Sequence, residues 1–289
     1  IQLIGLKHIN LKEASKRIRE KLSADQEPDL TQQEIKENIA VLDEADFVHL
    51  HNHTQFSVLQ STTSIPDLVN VAAKHKMKAV AMTDHANMMG AFHFVQTVSN
   101  HNRSVEVANA EALEKGETPA GVEIKPIVGC EFFVCENHKD KSRKDNGYQI
   151  VMLAKNKRGY HNLAKMSSTA FVDGFYYVPR IDKEVIKQYK EDIIVLTGNL
   201  YGEVPSKVLN VGEKQAEEAL LWWKEQFGDD LYIEIMRHNQ EDENRVNQVL
   251  IEFSKKHDIK LVATNNTYYC DKKDANAHDI LLCVKDEKN

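Results

Sequence analysis

Val48-His49-Leu50-His51-Asn52-His53-Thr54-Gln55-Phe56-Ser57 is the stretch from which the fold and the chemistry are read. Its first residues are apolar-rich and alternate, which predicts a buried strand over 47–51. Side chains two apart on a strand project from one face, so His51 and His53 point the same way. Neutral imidazole is a common metal ligand. A second apolar run, Val80-Ala81-Met82-Thr83, ends on the polar pair Asp84-His85. Two strands that finish in this way look like the scaffold of a metal site.

The rest of the chain sets bounds. Its 289 residues suffice for one large domain or two small ones. A net charge of −7, with no long Lys/Arg run, gives the surface as a whole no nucleic-acid-binding character. Cys130, Cys135, Cys270 and Cys283 form no CxxC pair, and a reduced, cytoplasmic protein is expected. No apolar run approaches a membrane span, and no signal peptide is visible. The chain opens on Ile1 and closes on a polar run, which reads as a piece of a longer polypeptide.

Strand and helix patterns alternate from residue 47 onward. Strands are predicted at 47–51, 78–83, 126–134, 148–154, 192–197, 230–236 and 259–264. Helices are predicted at about 64–77, 90–99, 157–169, 212–227, 241–257 and 274–284. Residues 100–125 lack a strong period and read as an exposed insertion. Ahead of the main domain, residues 11–22 have helical periodicity, and Thr31 with Glu34 forms a capping box for a second helix. The expected organisation is a helical extension over 1–45 and one domain over 46–289. Such alternation implies a parallel sheet, open or closed into a barrel. No GxGxxG or Walker loop follows the first strand, so a nucleotide-binding open sheet is not supported. Polar residues cluster at strand C-terminal ends, where barrel sites lie: His51, His53, Asp84, His85, Glu131, Asn265 and Asn266.

The strings HLHNHTQFSVLQ, AVAMTDHANMMGAF, IVGCEFFV, VMLAKNKRGYHNLAKMSS, GFYYVPRID, VLTGNLYGEVPS and LVATNNTYYCDKKDANAHDILLCV follow one another in order. Together they resemble the polymerase-and-histidinol-phosphatase (PHP) domain that opens the bacterial replicative DNA polymerase III alpha subunits, over residues 47 to about 285. The resemblance implies an irregular seven-stranded (β/α) TIM-like barrel. In intact members that barrel holds up to three divalent metals and hydrolyses phosphoesters. Carried over position by position, the family's ligands match His51, His53, His85 and Glu131. Elsewhere Gln60 and Asn266 stand where the family has aspartates. Gln149 and Tyr268 stand where it has histidines, and Asn199 where it has cysteine.

Amides keep a carbonyl oxygen but lose the charge. Closely spaced cations need anionic bridges, and Glu131 alone remains to balance them. No catalytic residue and no cofactor are therefore expected. One alternative is a single zinc or manganese ion on His51, His53, His85 and Glu131, since three histidines and a carboxylate suit zinc. Another is a pocket without an ion, in which the amides hydrogen-bond to the histidines. Ser57 lacks a partner set for nucleophilic catalysis. Of the adjacent Trp222 and Trp223, at most one can face fully inward.

Three functions fit. The first is a PHP region of a replicative polymerase with a degraded metal centre, supporting the polymerase core and docking partners. These would be the core domains of the same chain, with DNA reached through the parent, and a proofreading exonuclease module or subunit. Residues 1–45 would then be a connector behind such a module. The second is an active metal-dependent 3′–5′ exonuclease or phosphoesterase. The third is a free-standing histidinol-phosphatase-like enzyme, disfavoured by the alpha-subunit strings.

Overall fold

Alternation along the central strands fixes which side chains meet inside the sheet. In a computed structural model describing residues 47–119 and 121–285, β2 (Lys125–Val134) turns Ile127, Gly129, Glu131 and Phe133 one way, and Val128, Cys130, Phe132 and Val134 the other. The helical extension expected over 1–45 lies outside the described residues. The remaining strands are β1 (Ala79–Met82), β3 (Tyr148–Ala154), β4 (Arg180–Ile181), β5 (Ile193–Leu196), β6 (Leu231–Ile235) and β7 (Lys260–Ala263). The helices are α1 (Ile65–Lys74), α2 (Ala91–Glu114), α3 (Lys157–Val172), α4 (Lys183–Tyr189), α5 (Glu203–Asn210), α6 (Glu213–Phe227), α7 (Glu241–His257) and α8 (Ala275–Lys285).

The sheet runs β1-β2-β3-β5-β6-β7, with β4 beside β2. It curls into an irregular α/β barrel of the TIM-like kind. Closure uses the segment 49–53 rather than a regular strand. His49 bridges Val80 and Asn52 bridges Thr267. Backbone bonds His53 N to Thr267 O (2.8 Å) and Thr267 N to His51 O (3.1 Å) seal the ring. The strand expected over 47–51 is thus reduced to an isolated bridge, because the chain bends at His51. The Asn52 side chain donates to the carbonyls of His49 (3.2 Å) and Ala81 (2.8 Å), which ties this bent segment to β1.

Two expectations need correction. The sheet is mixed, not parallel: β3 runs antiparallel to both β2 and β5. The connection between β2 and β3 carries no crossover helix, and a parallel return would have needed one. Residues 100–114 are not a loop but continue α2. Their apolar period is weak because asparagines make the contact. Asn102 exchanges two 2.8 Å hydrogen bonds with the backbone of Ile124. Asn109 does the same with Gly121 at 3.0 and 3.1 Å. Helices α4 and α5, too short to show a period, were not expected.

Capping residues set several helix starts. Ser64 accepts from Asp67 N before α1, Asn156 from Arg158 N and Gly159 N before α3, and Asp182 from Glu184 N and Val185 N before α4. The larger core lies outside the sheet against α3–α7, around Phe132, Met152, Leu163, Val195, Trp223 and Leu250. Trp223 is buried and its neighbour Trp222 only partly so. A second layer, around Ile65, Met82, Phe94 and Val98, joins α1 and α2 to β1. Inside the barrel the apolar filling is thin, with Ala81, Val151, Leu153 and Leu196 buried there. Gly129 lets β2 and β3 approach closely there. A Cβ on it would stand 2.6 Å from Leu153 Cδ2 and 2.7 Å from Met152 O.

Candidate metal centre

Above the apolar plug, inward positions near the strand ends carry the polar residues. Glu131 sits two residues above Gly129 on β2, and Glu234 two above Tyr232 on β6. His51 and His53 lie on the kinked closing segment, and His85 on the loop after β1. All but His85 have no solvent exposure or almost none, and His85 has 6%.

Glu131 is the hub. Its Oε2 lies 2.5 Å from His51 Nε2 and 3.2 Å from His53 Nε2, and its Oε1 lies 3.3 Å from His85 Nδ1. Burial works against the Glu131 charge, but the nearby His85, the hydrogen bond from His51 and the closeness of His53 outweigh it. The carboxyl is held well below its usual range. Burial likewise opposes a charge on His51, yet Glu234 and Glu131 hold its pKa at about 10. His51 Nδ1 meets Glu234 Oε1 at 2.8 Å, and Thr264 Oγ1 donates to the same oxygen. A carboxylate behind a histidine is the arrangement that fixes a metal-ligating imidazole in orientation and tautomer. Without a metal, the imidazolium of His51 supplies the positive charge between the two carboxylates.

His53 behaves oppositely: burial and the neighbouring His85 push its pKa down to about 3. Ser57 donates to Asp84 Oδ1 (2.7 Å), so its 3.0 Å contact with His53 Nδ1 is a ring N–H donation to Ser57 Oγ. The His53 Nε2 lone pair then faces Glu131 Oε2. Asp84 also accepts from Thr54 N (2.6 Å) and Thr54 Oγ1 (2.7 Å). Ser57 therefore orients His53.

Three buried atoms, His53 Nε2, His85 Nδ1 and Glu131 Oε1, have no hydrogen-bond partner. Unpaired buried polar atoms are costly. Here both imidazole atoms adjoin the Glu131 carboxylate, at 3.2 Å for His53 and 3.3 Å for His85, where a cation would offer them a partner. One ligand atom each from His51, His53 and Glu131 falls within 4.8 Å of the others. The donor set of imidazoles and a carboxylate fits zinc or manganese.

Gln60, Gln149, Asn199, Asn266 and Tyr268, the positions where the resemblance expects other ligands, take several different places. Gln149 and Asn199 satisfy each other, Asn199 Nδ2 donating to Gln149 Oε1 at 2.9 Å. Gln60 turns to the rim, where its Oε1 accepts from Lys285 Nζ at 3.2 Å. The expected amide-to-histidine hydrogen bonds are therefore not how this pocket is satisfied. Tyr268 alone reaches a histidine, its hydroxyl lying 3.3 Å from His85 Nε2. Its ring stacks on His53 at 4.3 Å and 7°. Burial, with the Glu131 charge, raises the Tyr268 phenol above its usual range. Asn266 adopts a left-handed backbone (φ 44°), and its Oδ1 is buried without a partner.

Glu234 was missed by sequence reasoning. The signal was a lone carboxylate on the inward face of an otherwise apolar strand, Leu231-Tyr232-Ile233-Glu234-Ile235. His238, by contrast, stands apart, paired through Nδ1 with Glu243 at 2.6 Å.

Residues 49–238 match the PHP domain family. This chain belongs to it. The DNA polymerase III alpha subunit of Treponema pallidum is 38% identical over 248 residues, covering 84% of this chain and 19% of the relative. That of Aquifex aeolicus is 37% identical over 253 residues, covering 84% of this chain and 20% of the relative. That of Borreliella burgdorferi is 34% identical over 242 residues, covering 82% and 19%. The chain thus spans about a fifth of the length of these relatives. Among solved structures, an amidohydrolase from Chromobacterium violaceum is 12% identical with a TM-score of 0.45, over 82% of this chain and 97% of its own. Among the described residues, no helix is long and apolar enough to cross a membrane.

Proposed function

We propose that this chain is the PHP region of a bacterial replicative DNA polymerase alpha subunit, in which the multi-metal hydrolytic centre has been dismantled and the barrel supports the polymerase core. The observation that carries this reading is the Gln149–Asn199 amide pair. It fills one side of the mouth with neutral groups that satisfy each other, where a cluster of cations would need charge. Template-directed nucleotide addition would belong to other domains of the parent. Those domains, and a proofreading exonuclease module or subunit, would be its partners.

A second reading rests on the three unpartnered atoms around Glu131. They favour one divalent cation on His51, His53, His85 and Glu131, oriented from behind by Glu234. Bound there, a zinc or manganese ion would supply a Lewis acid. His51, His53 and Glu131 would hold it, and Ser57 would keep the His53 Nε2 lone pair aimed at it. This site would be the remnant of a 3′–5′ exonuclease or phosphoesterase.

Elemental analysis of the untagged protein after dialysis against Zn²⁺ or Mn²⁺ separates the two, with His51→Ala as control. The support reading expects at most one ion per chain and no release of nucleotides from a 3′-recessed DNA. Two or more ions lost together in the control, with nucleotide release, would overturn it. One ion, lost in the control and accompanied by nucleotide release, would establish the second reading.

A further inference from the structure

Around the C-terminal end of α3 the surface turns aromatic. Phe171, Val172, Phe175 and Tyr177 are 41%, 78%, 49% and 62% exposed. Phe171 stacks on Phe175, with ring centres 6.5 Å apart and planes at 21°. Tyr177 stands edge-on to Tyr176 at 4.7 Å. Exposed apolar groups that lie together mark a contact surface. Tyr177 also has a left-handed backbone (φ 64°), which a bulky residue adopts only at a cost. The chain tolerates strain here to hold a ring where the core makes no use of it.

The loop 136–146 lies beside these rings and supplies charge. Arg180, fully buried, clasps the two segments together. Its guanidinium donates to Gly174 O (3.1 Å) on the aromatic side, and to His138 O (3.2 Å), Asp140 O (2.9 Å) and Asp145 O (3.1 Å) on the other. The carboxylates of the loop are taken up within it. Glu136 pairs with Arg143. Asp140 accepts from Ser142 N (2.8 Å) and Ser142 Oγ (2.6 Å). Asp145 accepts from Glu136 N (3.1 Å) and Gly147 N (2.9 Å). Lys139, Lys141 and Lys144 are exposed, and among the described residues none of them meets a carboxylate. Lys144 Nζ lies 4.9 Å from the centre of the Tyr177 ring. In a chain of net charge −7 this is a local reversal of sign, opposed on the aromatic side by the exposed Asp173.

Exposed rings edged by ammonium groups suit a ligand that repeats a flat π-face and an anion. Each nucleotide of a single strand offers one base to stack and one phosphate to pair. A duplex hides its base faces, and a membrane or protein surface has no such repeat. We propose that Phe175 and Tyr177 form a stacking platform for a single DNA strand, whose phosphates are met by Lys139, Lys141 and Lys144. β4 pairs with β2 at Phe133 and Val134, just beyond Glu131, so the platform lies on the flank of the barrel beside its mouth. The choice of DNA rests on the reading of the chain as part of a DNA polymerase. The platform goes beyond that reading, which gives the barrel a supporting role, and it needs no metal.

The test is fluorescence anisotropy of a labelled oligothymidylate with the full 289-residue chain in EDTA. Binding is expected, and weaker binding of a duplex of the same length. Tyr177→Gly removes the ring yet suits the left-handed backbone. It should weaken binding about fivefold or more without lowering the melting temperature. Tyr177→Phe keeps the ring and should bind like the native chain. Lys141→Ala with Lys144→Ala should weaken binding and lower the slope of log affinity against log salt by about 0.7 for each lysine that meets a phosphate. Asp173→Asn removes the opposing charge and should tighten it. No binding by the native chain, equal binding of duplex, tighter binding of an oligouridylate, or an affinity unmoved by Tyr177→Gly or by the lysine pair would each overturn the proposal. A doubled mass in light scattering that Tyr177→Gly returns to one chain would make the patch a contact between copies and overturn it too. None of these outcomes bears on the support reading, which metal content and nucleotide release test separately.

Discussion

On one side of the barrel mouth, His51, His53 and His85 converge on Glu131, buried, charged and partly unpartnered. On the other, Gln149 and Asn199 pair with each other and Tyr268 lies flat on His53. The first side keeps strong, long-range interactions that need a counter-charge to be comfortable. The second relies on short-range hydrogen bonding and stacking between neutral groups. The two sides therefore differ in what they need from their surroundings: a counter-charge for the first, and only a neighbouring amide or ring for the second.

The sharpest way to break this comparison is to remove the hub. Glu131→Ala leaves the His51 imidazolium without one of its two carboxylates in a dry site. Truncating one partner of a buried pair costs about 3–5 kcal/mol. Urea unfolding in EDTA should report that loss, and a change below about 1 kcal/mol would mean that the charged side is no more dependent on its partners than a surface pair.

The pH dependence of stability sharpens the contrast between neighbouring histidines. His51, raised to about 10, contributes stability that is complete below pH 6.5 and is lost as pH climbs toward 10. His49 and His53 act in the opposite sense. Burial, with His75 for His49 and His85 for His53, lowers them to about 4 and about 3. They stay neutral in the fold while the unfolded chain takes up protons below pH 6.5, so stability falls as pH drops from there. The metal-free protein should be most stable near pH 6.5. Two protons on the acid limb give a slope of about 2.7 kcal/mol per pH unit, against about 1.4 for one on the alkaline limb. A stability that rises steadily through pH 9 would contradict the charged His51.

The smallest effect belongs to the neutral side. Gln149→Leu leaves the half-buried Asn199 amide without its partner and should cost about 1 kcal/mol. Adding Asn199→Leu should return part of that cost, giving a favourable coupling in a double-mutant cycle. Strictly additive losses would show that the two amides do not act as a unit.

Most of the barrel could be read from the sequence, because strand ends that carry His51, His53, His85 and Glu131 announce themselves as polar residues closing apolar runs. The direction of β3 could not be read this way. A period-two pattern is the same in either direction, and only the absence of a crossover helix between β2 and β3 betrays the reversal. The extension of α2 was hidden because Asn102 and Asn109 dock it through hydrogen bonds, which leave no apolar stripe. At the site, the sequence brought His51, His53, His85 and Glu131 together by type and place, but not the residues that support them. Glu234 and Ser57 act across long sequence separations, on His51 and on Asp84. The mutual pairing of Gln149 and Asn199 depends on two strands lying side by side, which neither string reveals alone.

The seal of the barrel, where Thr267 Oγ1 donates to Asn52 Oδ1 at 2.6 Å, joins residues 215 apart in the chain. Bringing such distant residues together carries a loop-closure cost that the local β2–β3 hairpin does not. The histidine cluster straddles that junction, with His51 and His53 on one side and Tyr268 on the other. Its assembly is therefore expected after that of the hairpin. The stacking of Tyr268 on His53 becomes a timer for that later event, readable by tyrosine fluorescence after the hairpin has already formed.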